Sequence, residues 1–365
     1  MITAKISIKT TEWDMNYSDT IEKIRRLAQG EDVCDDALCQ LLLDSGCYYL
    51  LSKSEKYASK RMIQVAMNSV VVSQRYKVCK EVFEKLSDIP YAHIKGAALS
   101  ERIYGNPAYR MSGDIDLLVA PEYSDKVKSV LLENGFVQGR LSGDKIVPYS
   151  RRELIYQKSF SHQLAQFIKA TGSNICPFVC VDVNLDIVWG EGDFSVDMSD
   201  FAGNMLHTED CLINGIALRR LKPVYEFISL CMHHYKDMNS IYLIADRGFS
   251  LSEYCDIYFY LVNVAPDADE LAKTAAKYGV SKYIYYCAYY ANEIFRDERI
   301  RRYIEKSESE TAKKLIDCYG LNESERKIWD VPFYERLLDN GFQERFFDSL
   351  SAEDKKKVQI NREMM

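Results

Sequence analysis

Asp114 and Asp116 stand two residues apart in Gly113-Asp114-Ile115-Asp116-Leu117-Leu118-Val119. Such an apolar run reads as a strand, and strand alternation puts both carboxylates on one face. Parallel carboxylates a few ångströms apart repel unless protons or cations lie between them. Divalent cations bridged to a polyphosphate are the arrangement that calls for such a pair. A third carboxylate is available in Val181-Asp182-Val183-Asn184-Leu185-Asp186-Ile187-Val188-Trp189. On a strand, Asp182, Asn184 and Asp186 share the face opposite Val183, Leu185 and Ile187. A half-exposed strand with a polar outer face gives the same alternation.

Groups suited to phosphate precede the pair. Gly96 permits close backbone approach where a helix begins, and free N–H groups at a helix start attract anions. Lys95 offers a point charge and Arg110 a planar fork, with Asp114 and Asp116 as its alternative partners. Ser112 and Gly113 lead directly into the carboxylates and are taken with them as ligand-binding candidates. Each residue alone is a weak signal. Their order carries the weight: strand, glycine turn, helix, then Gly-Asp-Ile-Asp.

The flanking elements follow from periodicity. Residues up to Pro90 read as helical; Met62, Ile63, Ala66, Val70, Val71, Val78, Val82 and Phe83 have the spacing of a buried helix face. Asp88-Ile89-Pro90 ends that helix. Tyr91 to Ile94 is a short strand and Ala97 to Tyr104 a helix broken by Gly105-Asn106-Pro107. After the Asp114 strand, Ser124 is a candidate N-cap for a helix that Gly135 terminates. Further strands are expected around Phe160 to Ile168 and from Phe178 to Trp189, with Thr171-Gly172-Ser173-Asn174 turning between them. Beyond Leu221 the apolar pattern is helical again over Val224 to His234, Tyr254 to Val262 and Tyr283 to Phe295. Glu298 to Lys314 reads as a solvated face or loop, and the polar end from Ser351 as frayed.

Composition narrows the classes. The 365 residues suffice for two or three domains, and 47% hydrophobic with 28% charged residues is ordinary for a globular protein. A formal charge of −7 argues against a grip on a nucleic-acid backbone. The eleven cysteines are odd in number and lack paired CxxC spacing, so free buried thiols in a reducing cytoplasm are expected, with neither disulfides nor zinc. No apolar h-region follows Met1-Ile2-Thr3-Ala4-Lys5 and no run is long enough to span a bilayer, so neither a signal peptide nor a membrane association is expected. The 26 tyrosines are scattered and read as packing.

The segment from Lys95-Gly96-Ala97-Ala98-Leu99 through Arg110-Met111-Ser112-Gly113-Asp114-Ile115-Asp116-Leu117-Leu118-Val119 resembles the signature of the uncharacterised nucleotidyltransferase family of the polymerase-β superfamily. Asp186-Ile187-Val188-Trp189 is similar to a later aspartate-leucine-histidine-tryptophan element of that family. On that match Asp186 is the third carboxylate and Asp182 its reserve, with Val188 in the place of the histidine. Leu230-Cys231-Met232-His233-His234-Tyr235-Lys236 is similar to a helix the family places beside the nucleotide, which makes His234 and Lys236 candidates for a phosphate or base. His93, His162 and His207 read as structural, while Arg247 and Asp246 lie in a loop that can line the same cleft.

The resemblance implies an α+β fold: a polymerase-β-type nucleotidyltransferase core with a mixed sheet, flanked by N- and C-terminal helical regions. The expected division is residues 1–89, 90–220 and 221–365. It implies transfer of an NMP from an NTP to a hydroxyl or phosphate of an acceptor, with pyrophosphate released. Mg²⁺ or Mn²⁺ is then held by Asp114, Asp116 and Asp186 or Asp182. A small-molecule or peptide acceptor, as in natural-product or peptide tailoring, is favoured. The competing readings are a nucleotide-binding protein without transfer, and transfer to a tRNA or protein.

Overall fold

The computed structural model describes residues 17–160, 163–189, 194, 198, 200–201 and 204–364. His162 and the first sixteen residues, including the stretch read for a signal peptide, lie outside the described residues. Three helices open the described chain: α1 (Tyr17–Ala28), α2 (Asp36–Asp44) and α3 (Tyr48–Leu51). Asp35 caps α2 by accepting the Leu38 N–H at 2.8 Å. The 28-residue α4 (Ala58–Lys85) follows and stops five residues before Pro90; its first half is exposed at Met62, Ile63 and Val70, and the expected buried face begins only at Val72.

The sheet unit comprises β1 (Tyr91–His93), α5 (Gly96–Tyr104), β2 (Ile115–Val119), α6 (Ser124–Glu133), β3 (Val137–Ser142), β4 (Lys145–Pro148), α7 (Arg151–Phe160), β5 (Phe167–Ala170), β6 (Phe178–Asn184), β7 (Thr208–Ile213) and β8 (Ile216–Leu221). Among the described residues these strands form one eight-stranded mixed sheet in the order β4-β3-β5-β6-β2-β1-β8-β7. β1 runs antiparallel to β2 and parallel to β8, and β2 runs parallel to β6. This is the expected α+β architecture, a mixed sheet flanked by helices.

The two faces of the sheet meet different layers. Tyr91, Ile115, Leu117, Val119, Val181 and Val183 pack with Val72, Tyr76, Val82 and Phe83 of α4 and with Val127 and Leu131 of α6. The alternate residues Ala92, Ile94 and Leu118 join a second core shared with the C-terminal helices. Period-two alternation thus sends apolar side chains into both layers. The same alternation sends Asp116, Asp182 and Asn184 toward the second layer.

That layer is built from α8 (Pro223–Asn239), α9 (Ile241–Arg247), α10 (Leu251–Phe259), α11 (Ala268–Lys277), α12 (Ser281–Phe295) and α13 (Glu298–Ser307). The N-terminal helices complete it: Ile21, Ile24 and Leu27 of α1 share its core, and Arg25 donates to the Ile294 and Glu293 carbonyls, both at 3.2 Å. Tyr235, Tyr254, Tyr283 and Tyr286 are fully buried there, so these tyrosines pack. All eleven cysteines are free. No described helix is long and apolar enough to cross a membrane.

Several elements differ from expectation. Residues 151–160 form a helix, and the strand expected from Phe160 begins at Phe167. The hairpins β3–β4 and β7–β8 were not anticipated; Asn214 and Gly215, both at positive φ, turn the second. Ser124 is the first helical residue of α6 instead of its cap. β6 ends at Asn184, not Trp189, so Asp186 is not on the strand. α10 gives way to a π-helical turn at Tyr260–Val264. Residues 298–307 are helical and bury Ile300 and Tyr303. The final segment, Ala352–Met364, is also a helix, with Val358 buried and Arg362 donating to the Ala245 carbonyl at 2.8 Å.

Candidate active site

The site begins where β1 gives way to α5. Ile94 continues the pairing with β2 by donating to the Asp116 carbonyl at 3.3 Å. Lys95 then occupies the N-cap position, and Gly96 opens α5 with φ +62°. A Cβ at Gly96 would lie 3.2 Å from Ser112 Oγ, so glycine answers both the left-handed backbone and the close approach. Ser112 Oγ donates to the Asp114 carbonyl at 2.7 Å and lies 3.4 Å from Asp114 Oδ1. Gly113 has open space around it.

Asp116 and Asp182 are register partners on the parallel strands β2 and β6, and Asp114 immediately precedes β2. Asp116 is 6% exposed and its Oδ1 accepts from Lys95 Nζ at 3.1 Å. Asp182 Oδ1 accepts from Gln166 Nε2 at 3.0 Å. Burial raises the Asp182 carboxyl to about 7, and the charges of Asp114 and Asp116 add to the rise. Burial and the neighbouring Asp116 raise Asp114 as well. Burial alone would lower Lys95, but Asp116, Asp237 and Asp114 outweigh it and hold the ammonium protonated. Three clustered carboxylates, two of them held above the ordinary carboxylate range, with one ammonium beside them, form a site that gains from added positive charge.

Among the described residues no three Asp, Glu, His or Cys side chains are already gathered around an ion-sized point. The donor set nevertheless suits a hard divalent cation, being all carboxylate oxygen, with Lys95 supplying positive charge against Asp116.

Asp186 lies past the end of β6. Its Oδ1 accepts the backbone N–H groups of Ile187 at 2.7 Å and Val188 at 3.2 Å. Together with Lys95, Asn184, Ser229, His233 and Lys236 it lines a cleft between the sheet and α8. Asn184 accepts from Gln163 at 2.8 Å and donates to the Leu117 carbonyl at 3.3 Å.

Helix α8 brings Lys236 to this cleft but turns His234 away. His234 is 1% exposed and its Nδ1 lies 3.1 Å from Glu253 Oε2. The residue before it faces the site: His233 Nε2 lies 3.2 Å from Asp237 Oδ2, and Arg247 reaches the same carboxylate at 3.6 Å. Burial pushes His233 well below its usual range, helped by the charges of Lys95, Lys236, Arg247 and Arg110. Asp246 points elsewhere, 3.9 Å from Arg362. His93 and His207 are buried and bonded to backbone carbonyls, His93 Nδ1 to Arg219 at 3.1 Å and His207 Nδ1 to Phe201 at 3.4 Å.

Arg110 pairs with neither Asp114 nor Asp116. Its Nε donates to Asp256 Oδ2 of α10 at 2.6 Å. Sequence reasoning missed Asp256, His233 and Arg75. Arg75, 5% exposed in α4, donates to the Ser112 carbonyl at 2.8 Å and so ties the long helix to the carboxylate loop. The available signal was a charge at the edge of an apolar run, Arg75 after Val70-Val71-Val72 and Asp256 before Ile257. A buried charge demands a partner, which such a run alone does not reveal.

A mixed sheet with paired carboxylates on adjacent strands, a glycine-opened helix beside them and helical layers around them defines a nucleotidyltransferase-type α+β fold. A family model described as uncharacterised nucleotidyltransferase matches residues 37–296, and the chain belongs to that family. It is a nucleotidyltransferase, an enzyme that transfers a phosphorus-containing group. No curated protein matches the chain.

Proposed function

We propose that this nucleotidyltransferase moves an NMP from an NTP to a hydroxyl or phosphate of a small-molecule or peptide acceptor and releases pyrophosphate. The observation that carries the reading is the placement of Asp116 and Asp182 on one face of adjacent parallel strands, with Asp114 beside them. These three would hold Mg²⁺ or Mn²⁺, which when bound would neutralise charge on the triphosphate and its departing pyrophosphate. Asp182 takes the place given to Asp186, because its strand position faces the pair while Asp186 caps the turn beyond the strand.

The protein groups do the positioning. Lys95 balances Asp116 in the free enzyme and is a point charge for a phosphate oxygen once a ligand arrives. Gly96 lets the α5 N-terminus pack against Ser112 and so holds the Asp114 loop beside it. Lys236 and His233 form the opposite wall of the cleft, basic and hydrogen-bonding in character. Arg110 brings a forked cation to the same region. The formal charge of −7 supports an acceptor other than nucleic acid, and eleven free cysteines support a cytoplasmic setting.

Incubation with each NTP, Mg²⁺ and pooled hydroxyl-bearing small molecules and peptides tests the reading. The expected result is metal-dependent pyrophosphate release that Asp116→Asn lacks. Nucleotide binding without release would leave a nucleotide-binding protein, a reading that no contact in the site favours.

A further inference from the structure

Arg110 is anchored through its backbone and through one nitrogen of its side chain. Its backbone N–H donates to Ser100 Oγ of α5 at 3.0 Å, and its carbonyl accepts from Asn68 Nδ2 of α4 at 3.0 Å. Its side chain meets Asp256, which is 2% exposed on α10, through Nε alone at 2.6 Å. The other Asp256 oxygen accepts from Tyr104 OH at 2.6 Å, so both carboxylate oxygens are engaged and the group cannot turn. Three helices from both sides of the sheet unit therefore converge on one arginine.

A guanidinium carries five N–H donors in a rigid plane. Pairing through Nε is side-on and leaves the η nitrogens without a protein acceptor among the described residues. Arg110 lies two residues before Ser112, whose hydroxyl bonds the Asp114 carbonyl, and its charge acts on both Asp114 and His233. A planar fork beside the carboxylate loop matches a phosphate group.

The geometry points to Asp256 as a positioning residue that holds Arg110 with its η nitrogens aimed at the phosphates of the donor nucleotide, with Tyr104 fixing Asp256 in turn. This rests on the nucleotidyltransferase reading above. It goes beyond that reading by giving an acidic residue of the helical layer a role in binding an anion. A mere tether between α10 and α5 would use the same ion pair, and the two roles separate in a double-mutant cycle.

The probe is inorganic tripolyphosphate with Mg²⁺, which needs neither base nor acceptor, measured by isothermal titration. Arg110→Ala and Asp256→Asn are each expected to weaken binding about tenfold or more. The double variant is expected to bind no more weakly than Arg110→Ala, because Asp256 acts only through that arginine. Asp256→Glu is expected to recover part of the loss. Tyr104→Phe, a milder change that keeps the proposal testable if Asp256→Asn does not fold, is expected to weaken binding about threefold.

Wild-type affinity in a folded Asp256→Asn variant or in Arg110→Ala would overturn the proposal. So would an Asp256→Asn loss that persists undiminished in the Arg110→Ala background, which marks a tether. If the wild-type chain binds neither tripolyphosphate nor any of the four NTPs, the nucleotidyltransferase reading itself fails and the proposal falls with it.

Discussion

Lys95 Nζ sits 3.1 Å from Asp116 Oδ1, an ion pair in which the lysine is 13% and the aspartate 6% exposed. It joins the turn after β1 to the start of β2 and supplies positive charge beside three carboxylates. Removing one partner of a buried pair costs about 3 kcal/mol, because the other charge stays buried without compensation. Lys95→Met is therefore expected to lower stability by that amount in metal-free buffer. Added Mg²⁺ should restore more stability to the variant than it adds to the wild type. Denaturant titrations with and without Mg²⁺ check this; an equal gain in both proteins would separate the lysine from the cation site.

Gly96 is the second local requirement. Gly96→Ala places a side chain at φ +62° and within 3.2 Å of Ser112 Oγ. A left-handed backbone costs a non-glycine residue about 1–2 kcal/mol, and the shifted serine would disturb the Asp114 loop. The expected outcome is a stability loss of that size together with weaker NTP binding. Unchanged stability would contradict the backbone assignment.

Stability should also depend on pH through His93. This residue stacks against Tyr76 at 5.8 Å and meets Phe83 edge-on at 4.9 Å, and burial lowers its pKa to about 4. The unfolded chain, with an ordinary histidine near 6.5, binds the proton more readily. The contribution is thus fully present above about pH 6.5 and is lost as pH falls toward 4. Between pH 7.5 and 5 the wild type is expected to lose about 2 kcal/mol more than His93→Phe, on a linkage of 1.36 kcal/mol per pKa unit. Parallel stability–pH curves for the two proteins would contradict this.

The two candidates on α8 should behave differently. Lys236→Ala is expected to weaken NTP binding about tenfold, as loss of a charge-assisted phosphate contact does. His234→Ala leaves the half-buried Glu253 without its partner, so about 2 kcal/mol of stability should be lost with nucleotide affinity within twofold. Binding isotherms and melting curves on both variants separate the roles. A larger binding loss in His234→Ala would reverse them.

The contrast between β2 and β6 shows what the sequence could carry. Asp114-Ile115-Asp116 lies at a strand start, where period two and the preceding glycine turn are local signals, and the structure follows them within a residue. Asp182, Asn184 and Asp186 satisfy the same alternation, but alternation does not reveal where a strand stops. β6 ends because residues 185–189 turn away, with Asp186 accepting the Ile187 and Val188 N–H groups. His233 and His234 pose a similar choice, since neighbours on a helix differ by about 100° and only packing decides which faces the sheet. The partnership of Arg110 with Asp256 spans 146 residues and leaves no local trace. The β3–β4 hairpin was hidden by its polarity, being mostly exposed with few apolar alternations.

The most direct test of the account is isothermal titration of each NTP with Mg²⁺ on the wild type, Asp116→Asn, Asp182→Asn and Asp186→Asn. Mg²⁺-dependent binding is expected in the wild type and in Asp186→Asn, and its loss in the variants at 116 and 182. Binding that survives in Asp182→Asn but vanishes in Asp186→Asn would contradict the assignment of the third carboxylate. Metal-independent binding in all four proteins would contradict the carboxylate site itself.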